Sequence, residues 1–181
     1  MRKTIRFLRN ISLLLVVFYT QATWSQTTFV LLRHAEKQTE NPRDKNPDLT
    51  AEGWARANDW LKVLQLPEVD AVYSTPFLRT KNTAQPWARV YRLDVQEYNP
   101  TAKSPLDWIT LSDKPQTFVI VGHSNTIPKL ANSFIGSDFY ADYPDAEYGS
   151  VIVVSGQPGS WQHFKINTEP FKKTTDEKMV N

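Results

Sequence analysis

Thr28-Phe29-Val30-Leu31-Leu32-Arg33-His34-Ala35-Glu36-Lys37 is the stretch that decides how this chain folds. Its first five residues are β-branched or apolar at consecutive positions, the pattern of a central strand covered on both faces. A polar group of two cations, an imidazole and a carboxylate follows without a break. An arginine beside a histidine at the carboxyl end of a buried strand sets a cation and a nucleophile in one crevice. Transfer of a dianionic phosphoryl group requires that combination.

A second strand of the same kind, Thr117-Phe118-Val119-Ile120-Val121, ends in Gly122-His123. Between the two, Thr50 can cap a helix whose apolar residues Trp54, Ala57, Leu61 and Leu64 fall at helical spacing, with Pro67 as its stop. Ala71-Val72-Tyr73-Ser74 reads as a short strand. Pro76 pre-sets a helix that continues from Arg79 to Arg92, and Pro86 inside it predicts either a kink or an earlier boundary. Leu93 to Tyr98 reads as strand, Pro105 to Leu111 as a short helix and Asn125 to Phe134 as a longer one. Val151 to Val154 and Trp161 to Ile166 form a hairpin around Gln157-Pro158-Gly159. Loops are expected at Gln38–Asp48, Asn99–Ser104 and Ser137–Tyr148, and these wall the crevice. Strand and helix alternate, so the expected architecture is a three-layer α/β/α fold with a mostly parallel central sheet. In such folds ligands bind outside the carboxyl ends of the strands.

The 181 residues suit one domain. Residues 1–25 have the layout of a secretory signal peptide: Arg2, Lys3, Arg6 and Arg9, then an apolar run from Ile11 to Tyr19, then Thr23-Trp24-Ser25 before a cleavage point ahead of Gln26. The run is shorter than the roughly 20 residues of a spanning helix. A secreted or periplasmic protein without stable membrane insertion is therefore expected, with an uncleaved anchor as the competing reading. The expected domain covers 26–167, and a polar tail covers 168–181.

Losing those four basic residues leaves 17 basic against 19 acidic side chains. No basic stripe then remains to bind nucleic acid. The absence of cysteine excludes disulfides, thiol catalysis and Cys-based zinc sites.

Three segments carry the chemistry: Arg33-His34-Ala35-Glu36-Lys37; Ser74-Thr75-Pro76-Phe77-Leu78-Arg79-Thr80 with Thr83-Ala84 behind it; and Gly122-His123-Ser124-Asn125-Thr126. Arg79 falls in a first helical turn, where free N–H groups and the helix dipole also favour an anion. Together these segments resemble the histidine phosphatase superfamily, the fold group of phosphoglycerate mutase, over about Thr28 to Ile166. The resemblance implies a phosphoglycerate mutase-like fold and a phosphatase acting on a small phosphorylated substrate, with no metal and no cofactor. It implies His34 as the nucleophile that becomes phosphorylated, and Arg33, Arg79 and His123 as the groups that hold the phosphate. Asn125 is an implied phosphate contact. The acid that protonates the leaving group is not assigned by the motifs: Ser124 occupies its place in one branch, and Glu97 and Glu36 are the nearest carboxylates.

Two other readings compete. One is a phosphate-binding module of the same fold without turnover. The other is a serine hydrolase built on Gly122-His123-Ser124-Asn125-Thr126, with Asp142 and His163 following in order, although Thr126 stands where the elbow needs glycine.

Overall fold

The computed structural model describes residues 26–102 and 107–168. The elements follow as β1 (Thr27–Arg33), α1 (Ala51–Leu64), β2 (Ala71–Ser74), α2 (Leu78–Tyr91), β3 (Val95–Glu97), β4 (Gln116–Gly122), α3 (Thr126–Ile135), β5 (Ser150–Gln157) and β6 (Ser160–Asn167). They build one mixed sheet in the order β3-β2-β4-β1-β5-β6. The first four strands in that order are mutually parallel, and the β5–β6 hairpin adds antiparallel to β1.

Alternation along each buried strand sends side chains to opposite faces. Phe29, Leu31 and Ile120 meet Ile127, Ala131 and Phe134 of α3 on one face. Val30, Leu32, Val119 and Val121 meet Trp60 of α1 and Ala84 and Trp87 of α2 on the other. Three layers result, as the continuous apolar runs require. The Phe29 and Phe134 rings stack with centroids 4.1 Å apart, fixing α3 to the strand that carries the first motif.

The Thr50 hydroxyl caps α1 by accepting from Gly53 N–H at 3.1 Å. The helix stops at Leu64 rather than at Pro67, because Gln65 turns left-handed (φ 40°) and sends its N–H back to the Leu61 carbonyl. α2 runs through Pro86 as one helix, so the boundary holds. Pro86 and Trp87 are both buried, and packing on the sheet offsets the missing hydrogen bond. β3 is three residues long, shorter than the expected Leu93–Tyr98. Pro105 and Leu106 lie outside the described residues; Asp107 has 3-10 helical geometry and Trp108 lies in a turn, so the helix expected to reach Leu111 does not extend that far. The signal-peptide segment 1–25 and residues 169–181 also lie outside them. Thr168, expected to begin the tail, is instead tied down: its N–H donates to the Gly149 carbonyl at 2.8 Å, and Trp60 Nε1–H donates to its hydroxyl at 3.3 Å.

What positions the site is strand register. Arg33 pairs with Gly122 and Ser74 with Val121, so β1, β4 and β2 end at one level in the middle of the sheet. The His34 N–H donates to the Gly122 carbonyl at 2.9 Å, extending that ladder one step beyond the strand.

Candidate active site

Arg33 and His34 leave β1 almost wholly buried, each 4% exposed. The Arg33 guanidinium is gripped by the loop before β5. Its Nη1 donates to the Pro144 carbonyl at 2.9 Å and the Glu147 carbonyl at 2.7 Å, and its central carbon lies 4.2 Å from the centroid of the Tyr148 ring. Arg79, in the first turn of α2, sits over the Phe77 ring at 4.5 Å. Among the described residues neither arginine forms an ion pair. Five buried side-chain polar atoms lack a partner there, and two are Arg33 Nε and Arg79 Nε. An unpaired buried donor costs about 1–3 kcal/mol, more when charged. Two of them converging on one crevice is the signature of a site built for an anion.

The histidines stand between these cations. His34 Nδ1 lies 2.8 Å from the Ala35 carbonyl. A carbonyl only accepts, so Nδ1 carries the proton and Nε2 the lone pair. Burial, outweighing the Ala35 hydrogen bond and joined by Arg79, His123 and Arg33, pushes the His34 pKa down to about 3. The His123 ring lies edge-on to it, centroids 5.5 Å apart. Burial, then Arg79 and Arg33, lowers its pKa to about 4. Both imidazoles are therefore neutral at pH 7, and His34 Nε2 has the protonation state of a nucleophile.

Backbone ties hold the three motifs together. Ala35 N–H donates to Thr83 Oγ1 at 3.0 Å, and that hydroxyl donates to the Arg79 carbonyl at 2.7 Å, which links the first motif to the arginine's own turn. His123 N–H donates to Thr126 Oγ1 at 2.9 Å. Gly122 is required here, because a Cβ would lie 2.7 Å from Tyr98 Oη and 2.8 Å from Thr126 Oγ1. Loop 38–48 does overhang α2: Asn46 Oδ1 accepts from Leu78 N–H at 2.8 Å, supplying the cap that Phe77 cannot.

Arg33, His34, Arg79 and His123 thus share one crevice. Asn125 is exposed, and among the described residues its side chain makes no hydrogen bond to them. It lines a separate recess with Tyr98, Asn99, Trp108 and Lys129. Neither carboxylate considered for the acid is turned to the crevice. Glu36 is held by Arg56 in a bidentate pair, with Arg56 Nε 2.8 and 2.9 Å from its two oxygens and Nη2 2.5 Å from Oε1. Glu97 pairs with Lys81 at 2.5 Å on the surface. The serine-hydrolase set does not assemble. Asp142 faces Lys129 at 4.0 Å, and His163 Nδ1 bonds the Tyr140 hydroxyl at 2.9 Å on β6. Among the described residues no group of three or more His, Cys, Asp or Glu could hold a metal ion.

Sequence reasoning treated Ser137–Tyr148 as a wall and missed that it grips Arg33. It also missed the pair Thr75 and Thr80 behind His123. The grip uses backbone carbonyls, which leave no residue-type signal. The hydroxyl pair could have been found, since Thr75 and Thr80 bracket the turn that delivers Arg79.

Comparison with known proteins bears on the fold. The sequence profile of the histidine phosphatase superfamily (branch 1) matches residues 29–100. No curated protein matches the chain. Among solved structures, a protein assigned as the phosphohistidine phosphatase SixA from Agrobacterium tumefaciens superposes with a TM-score of 0.58 at 21% identity, over 80% of this chain and 99% of that one. One assigned likewise from Nakamurella multipartitia gives 0.51 at 26% identity, over 72% and 84%. Phosphoglycerate mutase from Plasmodium falciparum gives 0.56 at 14% identity, over 83% and 98%.

Proposed function

Because the chain belongs to the histidine phosphatase superfamily, we propose that it is a phosphatase that hydrolyses a small phosphomonoester through a phosphohistidine on His34. The observation that carries this reading is the state of His34: Nδ1 is committed to the Ala35 carbonyl, leaving the Nε2 lone pair beside two arginines with unpaired Nε–H groups. In the first step Nε2 attacks phosphorus and the leaving group departs. In the second, water displaces the imidazole and frees phosphate. The arginines offer bidentate donors to the equatorial oxygens as charge builds on them. The two arginines supply that stabilisation, so the reaction needs no metal in this reading.

Hydrolysis of an activated aryl phosphate by the purified protein in excess chelator is the test. His34→Ala is expected to abolish it, and acid-labile, base-stable radiolabel is expected on the wild-type protein alone. Turnover persisting in His34→Ala would sink the nucleophile assignment. We further propose export directed by residues 1–25, supported by their basic start and short apolar run. Amino-terminal sequencing of protein recovered from outside the cytoplasm should begin at Gln26.

A further inference from the structure

Behind His123 lies a chain of hydroxyls whose proton positions can be worked out in sequence. Thr80 Oγ1 lies 2.9 Å from the Thr75 carbonyl and 2.9 Å from the Phe77 carbonyl. Carbonyls only accept, so the single Thr80 hydroxyl proton is used on one of them. Toward Thr75 Oγ1, at 2.9 Å, Thr80 can then only accept, and the Thr75 proton points at Thr80. Toward His123 Nε2, at 3.0 Å, Thr75 in turn can only accept. Nε2 therefore bears the proton. A neutral imidazole has one N–H, so Nδ1 is left with a lone pair, and it makes no hydrogen bond among the described residues.

That tautomer is the wrong one for a phosphate oxygen, which is itself an acceptor. The surroundings show how the mismatch resolves. The charged and titratable groups facing His123 are Arg33 and His34 from the end of β1 and Arg79 from α2. The turn before α2 contributes no charge, only the Thr75 hydroxyl and the Phe77 ring at 5.2 Å, and the first turn of α3 contains no acid. The loop before β5 reaches this strand end through Tyr143, whose N–H donates to the Ser124 carbonyl at 2.9 Å. Burial first, and then these cations, keep the ring neutral. A dianion among them reverses the sign of the local field, and the free Nδ1 is where a proton can then be held.

Resting on the phosphatase reading, we infer that His123, its tautomer fixed by Thr75 and Thr80, takes a proton onto Nδ1 when a phosphate anion binds and passes it to the leaving oxygen. This gives the site the acid that neither Glu36 nor Glu97 supplies. As the bond from His34 Nε2 to phosphorus forms, the bond from phosphorus to the leaving oxygen breaks. Its electron pair goes to that oxygen, and the Nδ1 proton follows. In the second step water oxygen bonds to phosphorus and the P–N pair returns to His34 Nε2. His123 Nδ1 accepts the proton that water gives up. Thr75 and Thr80 are positioning residues in this scheme, because they act only through His123.

Isothermal calorimetry with sulfate at pH 7, in two buffers of different ionisation heat, tests the coupling without turnover. Sulfate brings no proton, so the wild type and Thr75→Ser should take up about one proton per anion from the buffer. Thr75→Val releases Nε2, lets the neutral ring place its proton on Nδ1, and should bring the uptake well below half a proton. Thr80→Val should do the same by freeing the Thr75 proton to point at Nε2, and it serves if Thr75→Val does not fold. Sulfate binding by the wild type without uptake, or equal uptake in the valine variants, overturns the inference. For the handover, Thr75→Val should lose about tenfold more kcat/KM on an alkyl than on an aryl phosphate. Equal losses would overturn that step. Turnover without proton uptake leaves the phosphatase reading standing and sinks this one. Failure of both sulfate and inorganic phosphate to bind sinks both.

Discussion

Glu36→Gln separates a structural carboxylate from a chemical one. Glu36 and Arg56 form a bidentate pair whose side chains are 15% and 11% exposed, joining the loop after β1 to the first helix. Two unit charges about 3 Å apart at an effective dielectric near 20 attract by roughly 5–6 kcal/mol. Desolvation offsets much of that in the intact pair, yet removing one partner of a buried pair costs about 3–5 kcal/mol, because the other charge stays buried alone. Glutamine keeps one oxygen for Arg56, so the expected loss is about 2–3 kcal/mol. For a chain of this size that corresponds to a fall of roughly 5–10 °C in Tm. Below the new transition, turnover of an aryl phosphate should stay within about threefold of wild type, since Glu36 is turned from the crevice. Calorimetry and steady-state kinetics on the same preparation read both quantities. An unchanged Tm with a hundredfold fall in kcat would refute the reasoning and make Glu36 the acid.

Gly122→Ala should destabilise by about 1–3 kcal/mol, because its Cβ would meet Tyr98 Oη at 2.7 Å and Thr126 Oγ1 at 2.8 Å. Adding Tyr98→Phe should recover part of that in urea unfolding, and no recovery would show that Tyr98 is not the obstacle. Tyr148→Ala removes the ring stacked on Arg33 and should raise KM for a phosphate ester about three- to tenfold, while Tyr148→Phe keeps the ring and should not. Equal effects in both would point to the hydroxyl instead. Stability should fall with acid in a particular window. His34 and His123 are held at about 3 and about 4, against 6.5 in the unfolded chain, so below pH 6.5 the unfolded state binds the extra protons. Their contribution is complete above pH 6.5 and declines toward pH 4, by about 1.4 kcal/mol per pH unit for each proton. Urea midpoints at pH 7 and pH 5 should show the drop, and replacing both histidines by asparagine should flatten it.

The strands, the α1 cap and the four groups of the crevice were legible because each rests on a local rule. Consecutive β-branched residues mark a buried strand, Thr50 marks a cap, and histidines directly after buried strands mark a strand-end site. What stayed hidden depends on contacts between distant segments. Glu36 looked available because Arg56 lies twenty residues away, and only folding sets α1 against the loop after β1. Pro86 looked disruptive because the burial of Trp87 that offsets it belongs to the sheet. The grip of Pro144 and Glu147 on Arg33 crosses more than a hundred residues and involves no distinctive side chain.

That grip has a consequence for how such a chain can diversify. The oxygens that seat Arg33 come from peptide bonds, which any residue at 144 and 147 provides, so the path of the loop matters there and its spelling does not. Substitutions at those two positions are free to reshape which molecules are admitted while the seat of Arg33 stays, provided the Tyr148 ring is kept. Changes of loop length are not. A library that randomises the rim at fixed length but keeps Tyr148 would therefore explore new specificities with the seat of Arg33 intact.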